Sequence, residues 1–552
     1  MRAWAALGLI LAVAFARAER ILLVPLDSRP AAGQFAQMIG NMAGVRVDMP
    51  PLASLGRFTT PGTPEAILDW LAGQDYSDVT AVVFSADMIA YGGLIASRTN
   101  DVTAEQAVQR LLALDTIRQA HRTTKFYGYT AIMRLTPTAT RATAGWRLQL
   151  GRYAEIKERY RQAPSQQYLQ SLRNLQAKIP SIEIQRYEAT RQRNFDVQKA
   201  LIRMVGQGSF DYVVFGQDDA QPFGPHIPET NKLKAVAAQL AVQAKTYFCE
   251  GIDQHANVLV SRAVLKAQDW TPRVRLVYSD ESCKKRIADY ESKTIEQSVR
   301  DQILASGARP AVGDDYDYTL YLNVPGHGAS AFAGYLEALT AEVDQGFPVA
   351  VADINIAKDG TADQELFDAL DQNGRMVRLL SYAGWNTAGN TMGTSIPAAN
   401  VYLLARRSQG NAVGRELALR EFLLHRFVND FGYHRFVRPQ AYRMIDSSPR
   451  ASREETYGDA FEEVNGFVRA ELGHHLDDTF KSQFLGKKFF VGSKQYEITR
   501  LEGVQIGLPW PRAYEVRLEF KMQATEVTSI GNVSILWTYG WAIEAFVSSR
   551  LP

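Results

Sequence analysis

Motifs that carry ready-made chemistry are scarce in this sequence. It holds only two cysteines, Cys249 and Cys283. They are too far apart for a Cys-x-x-Cys pair, which excludes a zinc ribbon or a dithiol redox centre. The eight histidines form no His-Glu-x-x-His and no His-x-His string. There is no Gly-x-Ser-x-Gly nucleophile elbow and no glycine loop ending in Gly-Lys-Ser/Thr. Charge of one sign is missing too: 61 Lys and Arg face 59 Asp and Glu, a balance that gives no footprint for nucleic acid or an anionic membrane. After the first residues no apolar run is long enough to span a bilayer. Repeats, low-complexity tracts and long Pro/Gly linkers are likewise lacking.

What is present begins with an export signal. Arg2 supplies a positive start, Ala3 to Phe15 is a short apolar run, and Ala16-Arg17-Ala18 is a small-x-small cleavage site. The expectation is a leader over residues 1–18, a mature start at Glu19 and a periplasmic or extracellular protein with no membrane span once the leader is removed. Without Arg2 and Arg17 the charges balance. In an oxidising compartment two cysteines are compatible with one bridge, and equally with two thiols.

From residue 19 to about 405, apolar runs of four to eight residues alternate with stretches of helical period. Thr103–Arg118, Asp196–Gly206, Gln254–Lys266, Thr294–Ser306, Ala329–Val343 and Gln364–Asn373 read as helices, and Arg152–Ile179 as a charged helical hairpin. This alternation predicts an α/β fold with a mostly parallel sheet, closed as a TIM-like barrel or open and doubly wound. Residues 406–484 read as a helical segment. Residues 485–552 read as a small β-rich domain, because Lys488–Val491, Glu497–Leu501 and Glu515–Lys521 alternate apolar and polar residues.

Polar motifs follow seven of the apolar runs: Asp27-Ser28-Arg29-Pro30, Ser85-Ala86-Asp87 with Tyr91-Gly92-Gly93, Arg134, Gln217-Asp218-Asp219, Asp280, Asp353, and Gly384-Trp385-Asn386-Thr387. Parallel sheets bind ligands at the carboxyl ends of their strands, so the set predicts one polar site. Asp and Ser also serve as helix N-caps, an alternative that stands for each motif taken alone. Asp218 and Asp219 are the candidate catalytic pair, since neighbouring carboxylates split their pKa values and glycoside hydrolysis needs one acid and one ionised carboxylate. Substrate-assisted sugar hydrolases also use an adjacent acidic pair. Arg29 is placed to bind Asp27 or to clamp a substrate carboxylate. Trp385 offers a stacking face, and Asn386 and Asn390 offer hydrogen bonds to hydroxyls. Asp87, Tyr91, Arg134, Gln217, Asp280 and Asp353 complete the expected substrate contacts. A metal site built from Asp with His226 or His327 is the alternative chemistry. Asp314, Asp315 and Asp317 precede the Tyr318–Val324 strand, at the end away from such a site.

Several strings together resemble a bacterial family of unknown function, DUF4127: Val24-Pro25-Leu26-Asp27-Ser28-Arg29-Pro30, Asp87 to Arg98, Gly216-Gln217-Asp218-Asp219-Ala220, Tyr290-Glu291 and Gly384 to Gly393. The family tends to carry Gly-x-Asp-Glu where this chain has Gly251-Ile252-Asp253-Gln254. The resemblance implies a site that includes Asp253, with an amide in place of the adjoining acid. It implies no activity. The residues themselves predict an exported glycan-active enzyme, most directly a glycoside hydrolase acting on a carbohydrate or another polar small molecule without a cofactor. A metal-dependent hydrolase and a non-catalytic glycan-binding protein are the competing expectations.

Overall fold

A computed structural model describes residues 19–357, 360–407, 410–528 and 531–534. The expected leader, residues 1–18, and residues 535–552 of the expected β-rich tail lie outside the described residues. The α/β region holds two open parallel sheets and no barrel. The first contains β1 (Arg20–Val24), β2 (Arg46–Asp48), β3 (Val79–Ser85), β4 (Lys125–Ile132), β5 (Tyr212–Gln217) and β6 (Thr246–Glu250), in the order β2-β1-β3-β4-β5-β6. The second contains β7 (Arg273–Tyr278), β8 (Arg309–Pro310), β9 (Tyr318–Asn323), β10 (Val349–Asp353) and β11 (Ser381–Ala383), in the order β11-β10-β9-β7-β8. Both start at their first strand, add the second on one side and grow outward on the other. The architecture is thus repeated although no sequence repeat announces it.

Burial explains the open form. Along β1, Leu22 and Val24 point into one core with Ile67, Leu71, Ala107, Leu111 and Leu201 from the helices Pro64–Ala72, Ala104–Ala120 and Ser181–Gln207. The alternate residues Ile21 and Leu23 point into a second core with Ile39, Val258 and Leu259. Period-two side chains with both faces covered are what a doubly wound sheet requires. The second core continues through the helices His255–Ala267 and Ala388–Arg407 to Leu320, Leu322 and Val351 of the second sheet. These helices pack against each other. A side-chain carbon on Gly216 would fall 2.5 Å from His255 Nε2, so glycine at this position of β5 lets the His255 helix lie close to the first sheet.

The helical segment contains Ala412–Arg426, a π-helical stretch Phe427–Val437, Arg438–Ser447 and Gly458–Thr479. The tail forms an antiparallel sheet of β12 (Lys488–Val491), β13 (Lys494–Gly507), β14 (Arg517–Thr528) and β15 (Gly531–Ser534), in sequence order. This sheet is tied to the body. Glu421 accepts the Met522 N–H at 2.8 Å, and Tyr433 Oη donates to Ala513 O at 2.8 Å. Arg57 Nε donates to Pro509 O at 3.1 Å. The β13–β14 connection is thereby held over the carboxyl edge of the first sheet.

The sequence-predicted helices are present with small shifts at their ends, except that Asp196–Gly206 is only the C-terminal part of the long helix Ser181–Gln207. Thr103 caps Ala104–Ala120 in a capping box with Gln106. The charged hairpin is the helix pair Arg147–Gln162 and Gln166–Gln176. Cys249 and Cys283 are both buried and unbridged. Cys249 lies against Asp301 O and Cys283 against Gly326 O. Among the described residues no helix is long and apolar enough to cross a membrane.

Candidate functional site

A cleft of about 610 Å³ opens where the carboxyl edges of the two sheets and the β13–β14 connection meet. The first sheet supplies Arg29 after β1, Arg134 after β4, Asp218 and Asp219 after β5, and Asp253 after β6; Arg98 comes from the turn Ala96–Arg98. From the second half come Arg286, Asp289 and Tyr290 after β7, Gly326 after β9, Ile354 and Ala357 after β10, and Asn386 after β11. The C-terminal connection adds Trp510, Arg512, Tyr514 and Glu515.

Asp218 and Asp219 are fixed by the ends of β4 and β5. The Asp218 N–H donates to Ile132 O at 3.1 Å, and the Leu135 N–H donates to Asp219 O at 3.2 Å. The Asp219 N–H in turn donates to Asp218 Oδ1 at 2.9 Å. Each carboxylate has its own arginine: Arg98 pairs with Asp218 and Arg134 with Asp219. Arg98 Nη1 also donates to Thr138 Oγ1 at 2.9 Å, which holds its guanidinium in place. The two acids titrate apart. Burial pushes the Asp218 carboxyl up, but Arg98 and Arg134 outweigh it and hold the group below the usual range. At Asp219 burial and the charge of Asp218 outweigh Arg134, and its carboxyl is raised.

Arg29 lies at the centre of a second group. Its Nη2 meets Asp27 Oδ2 at 2.7 Å and Asp253 Oδ1 at 2.6 Å, and its Nη1 meets Glu515 Oε1 at 2.9 Å. Three carboxylates surround one guanidinium, and Trp510 covers it at 4.9 Å. Arg29 therefore takes the local ion-pair role and is not free to clamp a substrate carboxylate. Burial, together with Asp253 and Asp27, outweighs Arg29 at Glu515 and raises its carboxyl to about 7.

Beside the pair lies a polar recess of about 10 Å³, lined by Gln217, Asp218, Asp219, Asp253, Tyr290, Glu291, Thr387 and Asn390 among others. That is room for one water. Asn390 Oδ1 and Glu291 Oε2 are buried without a hydrogen-bond partner. Glu291 accepts the Gly389 N–H at 2.5 Å; burial and nearby Glu250 push its carboxyl up to about 8.

The structure thus brings Arg29, Arg134, Asp218, Asp219, Asp253 and Asn386 into the cleft and Gln217 and Asn390 into the recess, with Asp27 immediately behind Arg29. The other expected contacts lie elsewhere. Asp87 is buried under the first sheet, where it accepts the Ala131 N–H at 2.8 Å; burial raises its carboxyl to about 7. Tyr91 is buried beneath Arg193, 4.2 Å from its ring. Asp280 caps a turn, accepting from the Ser282 N–H at 2.9 Å and the Gly328 N–H at 3.0 Å. Asp353 is buried and ties Asn323 to the Asp363 N–H, at 3.0 and 2.6 Å. Trp385 packs edge-on against Phe35 in a small core and donates to Thr394, so it offers no stacking face. For Asp280 the capping alternative describes the geometry; Asp353 instead holds a loop, and Asp363 caps the helix that follows.

Gln254 is fully buried and donates to Glu250 O at 2.8 Å. It does not line the cleft, so the amide removes no acid from it. His226 and His327 do not line it either. His226 is buried, which lowers its pKa to about 3, and His327 stacks on Phe332. Among the described residues there is no group of three or more His, Cys, Asp or Glu arranged to hold a metal ion.

Sequence reasoning missed Arg98, Arg147, Arg286, Tyr290, Arg512, Tyr514 and Glu515. The string Trp510-Pro511-Arg512-Ala513-Tyr514-Glu515 was the available signal: aromatic and charged residues crowd one hairpin connection. No curated relative matches the chain. The strings that carry the resemblance each bring a residue to this region: Arg29, Arg98, Asp218, Tyr290 and Asn386 line the cleft. The match itself runs over residues 21–519, and the chain belongs to the family of proteins of unknown function DUF4127.

Proposed function

We propose that the chain is an exported glycan-active hydrolase whose cleavage site is the Asp218–Asp219 pair. The observation that carries this reading is the placement of two adjacent carboxyls in one cleft, each paired with its own arginine; their surroundings push the two in opposite directions. Pairs of acids driven apart in pKa assign the proton donor and the anion. Asp219, the raised one, donates a proton to the leaving glycosidic oxygen. Arg134 then stabilises the carboxylate left behind. Asp218, held ionised by Arg98, faces the positive charge that grows on the sugar as the C–O bond breaks; a water then bonds to that carbon and gives its proton to the Asp219 carboxylate, which restores the acid. A cleft of this volume accommodates one or two sugar rings. Tyr290 is half exposed at its rim and supplies a stacking surface. Asn386, whose Oδ1 accepts from Tyr514 Oη at 2.5 Å, presents its amide beside the tyrosine.

The test is turnover by the purified full chain on a panel of aryl glycosides and cell-envelope glycans, repeated with Asp219→Asn. Hydrolysis that disappears in the variant supports the reading. Failure to turn over any sugar overturns it.

A further inference from the structure

Six arginines line the cleft against five carboxylates, with no lysine. The pairing is uneven. Arg29 binds three acids, and Arg98 and Arg134 bind one each. Among the described residues no carboxylate lies within ion-pair distance of Arg147, Arg286 or Arg512. Arg512 is the most constrained of these. Its guanidinium lies 5.4 Å from the Phe58 ring and 5.3 Å from the Tyr514 ring. Its Nε is out of solvent and lacks a hydrogen-bond partner. Burial lowers its pKa, and burial with nearby Arg134 lowers that of Arg147. Glu515 near Arg512 and Glu454 near Arg147 act only at longer range, and desolvating a cation with no carboxylate in contact is costly. Aromatic faces offset part of that cost, but they satisfy no N–H.

We propose that the substrate is an acidic sugar and that its negative group is received by Arg512, with Arg147 lining the same cleft. This deepens the glycan-hydrolase reading and rests on it. A carboxylate or a sulfate ester meets the same requirement, since both accept two parallel N–H bonds from one guanidinium. The arginine that the sequence offers for this task, Arg29, is already saturated, and the C-terminal hairpin connection supplies the free one. The tail sheet thus brings the group that selects the substrate, while the first parallel sheet brings the acids.

The experiment measures binding, by calorimetry and thermal shift at fixed ionic strength, of D-glucuronate, D-galacturonate, glucose 6-sulfate, D-glucose and inorganic phosphate to the full chain. One or more of the acidic sugars should bind about tenfold or more tightly than glucose, the size of one charge-assisted hydrogen bond. The uronate and sulfate arms identify which anion is preferred. Arg512→Gln should abolish the preference, and Arg512→Lys should retain part of it. Arg147→Gln, on another element, should weaken it and serves if Arg512→Gln fails to fold. Equal binding of acidic sugars and glucose overturns the proposal, as does phosphate matching the best sugar acid, or an unchanged preference in Arg512→Gln. Binding of acidic sugars through Arg512 with no aryl glycoside or glycan of the panel turned over, acidic ones included, overturns the hydrolase reading alone. Turnover of neutral glycosides with no acidic preference overturns this proposal alone.

Discussion

At the carboxyl edge of the first parallel sheet, Arg29, Arg134, Asp218, Asp219 and Asp253 enter the cleft. At the same edge of the second sheet, Asp280 caps a turn and Asp353 ties a loop. The two sheets share a strand order, and both edges face the same opening. What separates them is the partner each acid finds. Asp280 and Asp353 bind backbone N–H groups of their own neighbourhood, so their charge is spent on loop geometry. Asp218 and Asp219 bind arginines from other segments, so their charge is tuned but still faces the cavity. A polar residue at a strand end therefore marks a site only when its hydrogen bonds leave it exposed to the opening. The second sheet supplies a largely neutral wall after β9 and β10, with Gly326, Ile354 and Ala357.

The largest contrast is expected in activity. On a confirmed substrate, Asp219→Asn should lose about 10²–10⁴-fold in kcat, the usual contribution of a positioned acid. Its melting temperature should stay close to that of the native chain, because Asn keeps the shape of Asp. Asp280→Asn should keep near-native kcat, since Asn is itself a good cap. Comparable losses in both variants would erase the distinction between the two edges.

Stability shows the next largest effect. Arg29→Ala leaves Asp27, Asp253 and Glu515 facing one another without their shared cation. Breaking such a buried group by removing one partner costs about 3–5 kcal/mol. Urea unfolding should show this loss as a lowered midpoint. A midpoint within error of the native value would mean that the three acids simply protonate or reach solvent.

Much of the first sheet was legible because its strands are short apolar runs ended by polar motifs, and the Thr103–Gln106 capping box marks its helix directly. β6 was not, because Thr246, Tyr247 and Glu250 dilute its apolar signal, although the Asp253 that follows it is a cleft residue. Nor was the division into two sheets, since strand pairing is settled between residues far apart in sequence and not by local period. In the apolar run before Gly384, Met376–Arg378 forms a turn of 3-10 helix and only Ser381–Ala383 pairs as β11. The site was half legible for the same reason. Asp218 and Asp219 are adjacent in the chain, while Arg98 reaches them, and Arg512 and Glu515 reach the same cleft, through tertiary structure alone. Nothing local distinguishes the Asp that caps from the Asp that faces a cavity.

A smaller effect follows from the buried acids. The carboxyls of Asp87, Asp353 and Glu515 are raised to about 7 and that of Glu291 to about 8, burial being the main cause at each. In the unfolded chain these groups ionise near their ordinary values, about 4. Between about pH 4 and pH 7–8 the native state therefore binds more protons than the unfolded one, and stability falls as pH rises. Buried His226 and His255, lowered to about 3, act in the opposite direction only below about 6.5. From pH 6.5 to 8 the carboxyls act alone, at ~1.4 kcal/mol per pH unit for each still protonated. The melting temperature should drop across that window, and Glu291→Gln should flatten its upper half. A temperature that rises from pH 6.5 to 8 would contradict the burial assigned to these acids.

The smallest expected effect is none at all, and it concerns the two cysteines. Cys249 ends up on β6 of the first sheet and Cys283 in the turn after β7 of the second, so a bridge would staple the two sheets together. The structure instead gives each thiol its own carbonyl, Asp301 O at 3.6 Å and Gly326 O at 3.3 Å, and buries both. A bridge closing so long a loop would raise stability by a few kcal/mol, about 3–5 on the chain-entropy account, and reductant would remove that increment. With free thiols, reductant should leave the melting temperature unchanged. A thiol reagent should label neither cysteine in the native chain and both after denaturation without reductant, because burial denies access and, at Cys249, also raises the thiol pKa. A drop in melting temperature on reduction, with no thiol labelled in the unreduced denatured chain, would show that the sheets are stapled covalently. The two carboxyl edges would then owe their alignment to that bond rather than to the helices His255–Ala267 and Ala388–Arg407 packed between them.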